Sequence, residues 1–388
     1  MKTTGALLRE QKAPFEVTEL ELREPGPDEV LVDIRASGVC ASDAHTRTGR
    51  IPSPLPAVLG HEGSGVVLRT GANVTHVAPG DHVALSWMPS CDTCRHCRAG
   101  RPVLCTAAAP YLLAGTLLDG STSLRHEGRA VHQYSFLSTF ADAAVVPKNS
   151  AIKVDPSVPF EVAALIGCAV LTGYGAAVNR AGVTPGSTVL IFGAGGVGLS
   201  AIMGARVAGA AQIIVVDPAE HKRAEALGFG ATHTLSSDDD VVARVAELSD
   251  GFGADFTIDG VGAPGILDTA FRATVKGGTI VCVGMPAPGA QSSITGPALV
   301  RDEKIVTGSL YGSSVPQRDV PMIAELYRQG RLPLDRLITQ RYRLEQINEA
   351  FDDLEAGRLN RGVIVFDSVR ADDSRSTNDT HLQGGTHA

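Results

Sequence analysis

From Glu29 the run Glu-Val-Leu-Val-Asp-Ile-Arg-Ala alternates apolar and polar positions, the period of a strand with one face on a core. Short runs of this kind, such as Gly63-Ser-Gly-Val-Val-Leu68, recur to about Val146 between turn signals such as Pro79-Gly80-Asp81. They predict a mostly antiparallel β region. From Ser187 the pattern becomes strand (188–192), Gly-rich turn (193–198), helix (199–208) and strand (212–217), and further apolar strands follow at 254–259 and 279–283, with a helix at 266–273 between them. Alternating β and α elements predict a doubly wound parallel sheet, so the expected fold class is α/β with a second, mostly β domain. Beyond Leu310 the chain predicts amphipathic helices at 320–329 and 344–354 and a last strand, Gly362-Val-Ile-Val-Phe366, which return to the first domain. Residues 369–388, rich in Asp, Ser, Thr, Asn and Gly, read as a disordered tail.

At 388 residues the chain suits two domains. A net charge of −8 supplies no basic field to gather nucleic acid or an anionic membrane. The N-terminus lacks the apolar stretch of a signal peptide, and no later run reads as long and apolar enough to span a bilayer. The expectation is a cytoplasmic protein acting on a small molecule. In such a reducing compartment clustered cysteines are metal ligands more often than disulfides.

Six of the seven cysteines fall at positions that suit metal sites. Cys91, Cys94, Cys97 and Cys105 can supply four thiolates from one loop, the closed shell of a structural zinc. Cys40 and Cys168 stand far apart with His61 between them; two sulfurs and an imidazole leave one position open, as at a catalytic zinc, although each residue taken alone also reads as packed core. Cys282 reads as a strand residue. Gly193, Gly195 and Gly198, with Gly196 and Val197 between them, follow a strand and open a helix, and Asp217 ends the next strand. This is a dinucleotide fingerprint: the glycines admit a tight turn and a pyrophosphate, and the Asp217 carboxylate would accept from ribose hydroxyls while repelling a 2′-phosphate, favouring NAD.

The stretches Gly38-Val-Cys40-Ala-Ser42-Asp43-Ala-His45, Gly60-His61-Glu62-Gly63-Ser-Gly65, the four-cysteine loop, Gly167-Cys168-Ala-Val-Leu-Thr172-Gly173-Tyr-Gly175 and Gly193 to Gly198 together resemble the zinc-dependent medium-chain alcohol dehydrogenases, to about Phe366. The resemblance implies a GroES-like catalytic domain from residues 1–169 and 313–368, a Rossmann NAD-binding domain from 170–312, NAD and two zinc ions per chain. It implies that Cys40, His61 and Cys168 hold the catalytic zinc, a Lewis acid toward an alcohol oxygen, while hydride passes to nicotinamide. It further implies a proton path through Ser42 and the nicotinamide ribose to His45, with Asp43 behind the histidine ligand and Glu62 close to the metal. Thr172 and Val197 would stand behind the nicotinamide, Lys222 at the adenosine ribose, Arg361 at the pyrophosphate and Trp87 in the substrate wall. One departure is Ala41, where many relatives carry a cation for the pyrophosphate.

The long loop between Cys105 and Val146 is similar to that of the animal, plant and formaldehyde-oxidising branches and implies a homodimer, with a tetramer as the alternative. Ser42 leaves room for a bulky alcohol, so the expected reaction is reversible oxidation of a medium-chain, allylic or benzylic primary alcohol. The positions that grip glutathione in the formaldehyde-oxidising class are Gly49, Ile51 and Ala108 here, against that thiol carrier. The alternatives are oxidation of another thiol adduct, such as a mycothiol adduct of formaldehyde, or a non-catalytic scaffold that binds zinc and nucleotide.

Overall fold

The computed structural model describes residues 1–287, 289–294 and 296–367; the expected tail lies outside the described residues. In chain order the labelled elements begin with β1 (Lys2–Leu8), β2 (Glu16–Leu22), β3 (Glu29–Val39), α1 (Ala41–Arg47), β4 (Ala57–Val58), β5 (Gly63–Thr70) and β6 (His82–Leu85). Next come β7 (Leu124–His126), β8 (Arg129–Gln133), β9 (Ala143–Pro147), β10 (Ala151–Lys153) and the long helix α2 (Phe160–Ala181). The nucleotide half holds β11 (Thr188–Phe192), α3 (Gly196–Val207), β12 (Gln212–Val216), α4 (Glu220–Phe229), β13 (His233–Leu235), α5 (Val241–Leu248), β14 (Ala254–Asp259), α6 (Ile266–Ala273), β15 (Thr274–Cys282) and β16 (Ile305–Gly308). The chain closes with α7 (Pro316–Arg328), β17 (Ile338–Tyr342), α8 (Ile347–Glu355) and β18 (Arg361–Val365).

The first half is a small closed barrel, β1-β2-β7-β8-β4, beside a sheet in the order β10-β6-β5-β3-β18-β17, with β9 also on β3. Pairing there is mostly antiparallel, β4 with β8 and β17 with β18 excepted. Strands 11 to 16 form a parallel sheet in the order β13-β12-β11-β14-β15-β16, the doubly wound arrangement that opens a crevice beyond the carboxyl end of β11. The final strand pairs with β3.

Two expectations are corrected. The alternation predicted at 29–36 does not become a half-exposed strand: all of β3 is buried except Arg35, because β5 lies along one edge, β9 and β18 along the other, and apolar groups cover both faces. A run long and apolar enough to span a bilayer does exist: α2, with mean hydropathy 1.6 over its most apolar window. That window is 78% buried, since α2 starts against β3 and β5 and ends against α3, and a helix covered on all sides is apolar all round. Residue 170 lies inside this continuous helix. Smaller shifts have local causes. The helix expected at 320–329 starts at Pro316, which suits a first helical position, and the one at 344–354 opens with a 3₁₀ turn, Leu344–Gln346.

Candidate active site

Cys40 lies between the end of β3 and the start of α1, and His61 and Glu62 lead into β5. The register of Ser37 with Gly63 sets these ends side by side, with the Gly38 amide donating to the Glu62 carbonyl at 2.8 Å. Around Cys168 the helix α2 widens to π geometry over Ile166–Val170, an irregularity common at functional sites. Gly167 lies so close to the Leu85 carbonyl that a Cβ would fall 2.5 Å from it, and this contact brings Cys168 to the same edge. One ligand atom from each of Cys40, His61, Glu62 and Cys168 lies within 4.8 Å of the others, and all four side chains are buried.

His61 is aimed by its surroundings. Its Nδ1 is 3.1 Å from Asp43, whose carboxylate also accepts from the Gly60 amide at 3.0 Å, so Nε2 is the nitrogen left for a metal. Gly60 has φ of +92°, and a Cβ there would fall 2.6 Å from the Phe140 nitrogen; only glycine permits this turn. Burial lowers the imidazole pKa, but Asp43 and Cys40 outweigh it and push it well above the ordinary value. The Cys168 thiol hydrogen-bonds to Cys40, holding Cys40 well below the usual thiol range and pushing Cys168 up. Burial raises Glu62 to about 8 against the opposing Arg361 guanidinium, 3.5 Å from Oε1. Both Glu62 oxygens lack a hydrogen-bond partner among the described residues. Two sulfurs, an oriented imidazole and a neighbouring carboxylate fit zinc with a position open for exchange.

The ligand atoms of Cys91, Cys94, Cys97 and Cys105 also lie within 4.8 Å of one another. The Cys94–Cys97 sulfurs are 3.5 Å apart, and the Cys94 amide donates to the Cys91 sulfur at 3.3 Å. This is a preformed thiolate cage without an open ligand position.

At the dinucleotide crevice Gly193 takes φ of +91°, and a Cβ on Gly198 would sit 1.8 Å from the Gly193 carbonyl oxygen. No side chain caps α3, and a Cβ on Gly195 would meet open space, so the amides of its first turn are available to an anion. Arg361 lies against Gly196, 5% exposed, with Nε unpartnered among the described residues; the β18 register with β3, Gly362 opposite Val39, carries it there. A buried cation at a helix N-terminus fits a pyrophosphate. Asp217 accepts from Ala194 N at 2.8 Å through Oδ2 and from Ala219 N at 2.9 Å through Oδ1, leaving one lone pair per oxygen for ribose hydroxyls. Gly173 packs on the start of α3, where a Cβ would meet Val197 O at 2.1 Å, so the turn of α2 that carries Thr172 lies against the turn that carries Val197. Lys222 is half-buried on α4 and makes no hydrogen bond or ion pair among the described residues; its neighbour Arg223 instead donates to Asp217 O at 2.7 Å and Pro218 O at 2.8 Å.

Ser42 and His45 share the short helix α1. His45 Nε2 is 3.3 Å from an Arg50 nitrogen, and burial followed by the Arg50 charge lowers its pKa. Trp87 is half-buried and packed against Tyr311, ring centroids 4.7 Å apart and planes inclined at 44°, and the Tyr311 hydroxyl donates to the carbonyl of Gly167, next to Cys168. Tyr134 stands edge-on to His61 at 5.7 Å. Arg50, Tyr134, Arg223 and Tyr311 escape a sequence reading because no local motif marks them; each matters through a contact made by folding.

Residues 26–156 match the family model for the alcohol dehydrogenase GroES-like domain and residues 196–328 that for the zinc-binding dehydrogenase. An NDMA-dependent alcohol dehydrogenase of Amycolatopsis methanolica is 42% identical over 94% of this chain and 99% of its own length. The chain belongs to the zinc-dependent medium-chain alcohol dehydrogenases. A geraniol dehydrogenase of Castellaniella defragrans is 40% identical over 93% of this chain and 97% of its own. The crystal structure of benzyl alcohol dehydrogenase from Acinetobacter calcoaceticus superposes with a TM-score of 0.90 at 36% identity, covering 95% of this chain and 100% of that one. The dehydrogenase described here is thus an alcohol-oxidising enzyme of the zinc type that uses a nicotinamide cofactor.

Proposed function

We propose that this dehydrogenase oxidises primary alcohols with an allylic or benzylic carbinol carbon to aldehydes, reversibly, using NAD and two zinc ions per chain. The observation that carries the reading is the convergence of Cys40, His61 and Cys168 beside Asp43, across a crevice floored by Gly193 to Gly198. Zinc at the first site would supply Lewis-acid polarisation of the alcohol oxygen, and the nicotinamide ring would take the hydride. The chain's own groups do the rest. Asp43 fixes the His61 ring, Thr172 and Val197 back the nicotinamide, and Arg361 with the α3 amides holds the diphosphate. Ser42 accepts the alcohol proton and His45, lowered in pKa and therefore neutral, receives it at the surface.

Support for the substrate class comes from relatives named for geraniol and benzyl alcohol, and from the Trp87 ring, held by its tilted contact with Tyr311, whose hydroxyl reaches the residue before Cys168. Support for NAD comes from Asp217, whose carboxylate would repel a 2′-phosphate. A homodimer in the cytoplasm completes the proposal. The name of the NDMA-dependent relative favours a second reading of turnover, in which NADH stays bound and an external acceptor reoxidises it. Ala41 does not favour retention: it is exposed at the start of α1 and offers no cation to the diphosphate. Initial rates with benzyl alcohol, geraniol and a saturated alcohol of similar length, each with NAD, NADP or NDMA, test these points. Rates highest for benzyl alcohol and geraniol with NAD support the proposal. Equal rates with the saturated alcohol would defeat the substrate assignment, and turnover only with NDMA would establish cofactor retention.

A further inference from the structure

The Tyr134 hydroxyl meets two groups of α1. It donates to the backbone carbonyl of Ser42 at 3.3 Å, and the Thr46 hydroxyl, 3.0 Å away, itself reaches that carbonyl at 3.1 Å. The same ring stands edge-on to His61, inclined at 73°. Tyr134 therefore touches both the imidazole assigned to the metal and the main chain of the residue assigned to the proton.

Its own placement is over-determined. Ser135, Phe136 and Ser138 all take left-handed backbone, costly for these residue types, so the turn persists only because its surroundings hold it. The Tyr134 amide donates to Ser138 Oγ at 3.1 Å, which donates in turn to Val58 O at 2.8 Å. Thr139 N and Phe140 N donate to Gly60 O and Leu59 O at 3.0 and 3.1 Å. The turn at 134–140 is thus bolted to the segment that delivers His61. Burial keeps the phenol protonated, well above its ordinary pKa, so the hydroxyl remains a donor.

We propose that Tyr134 is a positioning residue for proton removal: its ring is fixed to the His61 segment and its hydroxyl to the Ser42 main chain, so it sets the distance between the Ser42 hydroxyl and an alcohol held at the metal. This rests on the reading of Ser42 as proton acceptor. The angle and length of a proton transfer are steep in rate, and a displacement of about 1 Å can cost on the order of a hundredfold.

The test is single-turnover reduction of NAD by benzyl alcohol in H₂O and D₂O, with zinc-loaded wild type, Tyr134→Phe, Ser42→Ala and the double variant. Tyr134→Phe keeps the ring and removes only the hydroxyl; zinc content and Tm are measured alongside. The expected result is unchanged zinc, a rate reduced roughly tenfold or more, a larger solvent isotope effect, and a double variant no slower than Ser42→Ala. If Tyr134→Phe matches wild type in rate and isotope effect while Ser42→Ala is slow, the positioning role is wrong and the proton path stands. If Ser42→Ala is as fast as wild type, the proton path fails and the proposal with it. A double variant slowed by the product of the two single effects would show that Tyr134 acts independently of Ser42, which also overturns the proposal.

Discussion

His61 can serve a metal because Asp43 occupies its other ring nitrogen, and Asp43 can do so because Gly60 turns the chain left-handed beside it. Asp43→Ala should weaken zinc binding at this site by roughly 10- to 100-fold, read by competition with a chromophoric chelator, and leave the four-cysteine cage loaded. His45 carries a pH prediction. Proton acceptance needs its neutral form, and burial with Arg50 lowers its pKa, so the neutral form persists as pH falls. Removing the cation in Arg50→Gln raises that pKa, and the acid limb of the kcat/KM profile should move to higher pH. An unmoved limb would take His45 out of the proton path. The cage ligands were legible in the close spacing of their cysteines, whereas Cys40, His61 and Cys168, from three distant segments, were legible only through the family resemblance of the runs around them. Arg50 and Tyr134 were not, because a side chain five or ninety residues away becomes a partner only when the chain folds.

Among the elements, the turn between β11 and α3 leaves least room for change. A methyl on Gly198 would fall 1.8 Å from the Gly193 carbonyl, so Gly198→Ala must open the turn that presents the α3 amides. NADH affinity should fall at least tenfold by calorimetric titration while zinc content holds; unchanged affinity would mean that the diphosphate binds elsewhere. This strand, turn and helix could be read directly, since glycine spacing and apolar period agree. The helix α2 could not. Apolar on all sides, it shows no period, and its two π stretches, Ile166–Val170 and Ala176–Ala181, give no sequence signal. Nor could periodicity show that β3 would gain partners on both edges.

At the scale of the whole molecule, the division into a β half and a parallel-sheet half was legible from the switch in pattern near Ser187, and the return of the C-terminal elements is realised as β18 on β3. That return matters chemically, since it carries Arg361 to the junction of Glu62 and Gly196. The cage and the candidate catalytic site are separate sites, so their losses should separate too. Cys97→Ser should lower zinc by about one per chain and reduce Tm, because a structural zinc contributes directly to folding. The most direct test of the central claim is the rate of NAD reduction by benzyl alcohol measured against bound zinc, in wild type and Cys168→Ser. Wild type should hold about two zinc ions per chain and turn over in proportion to occupancy of the second; Cys168→Ser should keep the cage zinc and show almost no turnover. Full turnover in Cys168→Ser, or in wild type carrying only the cage zinc, would contradict it.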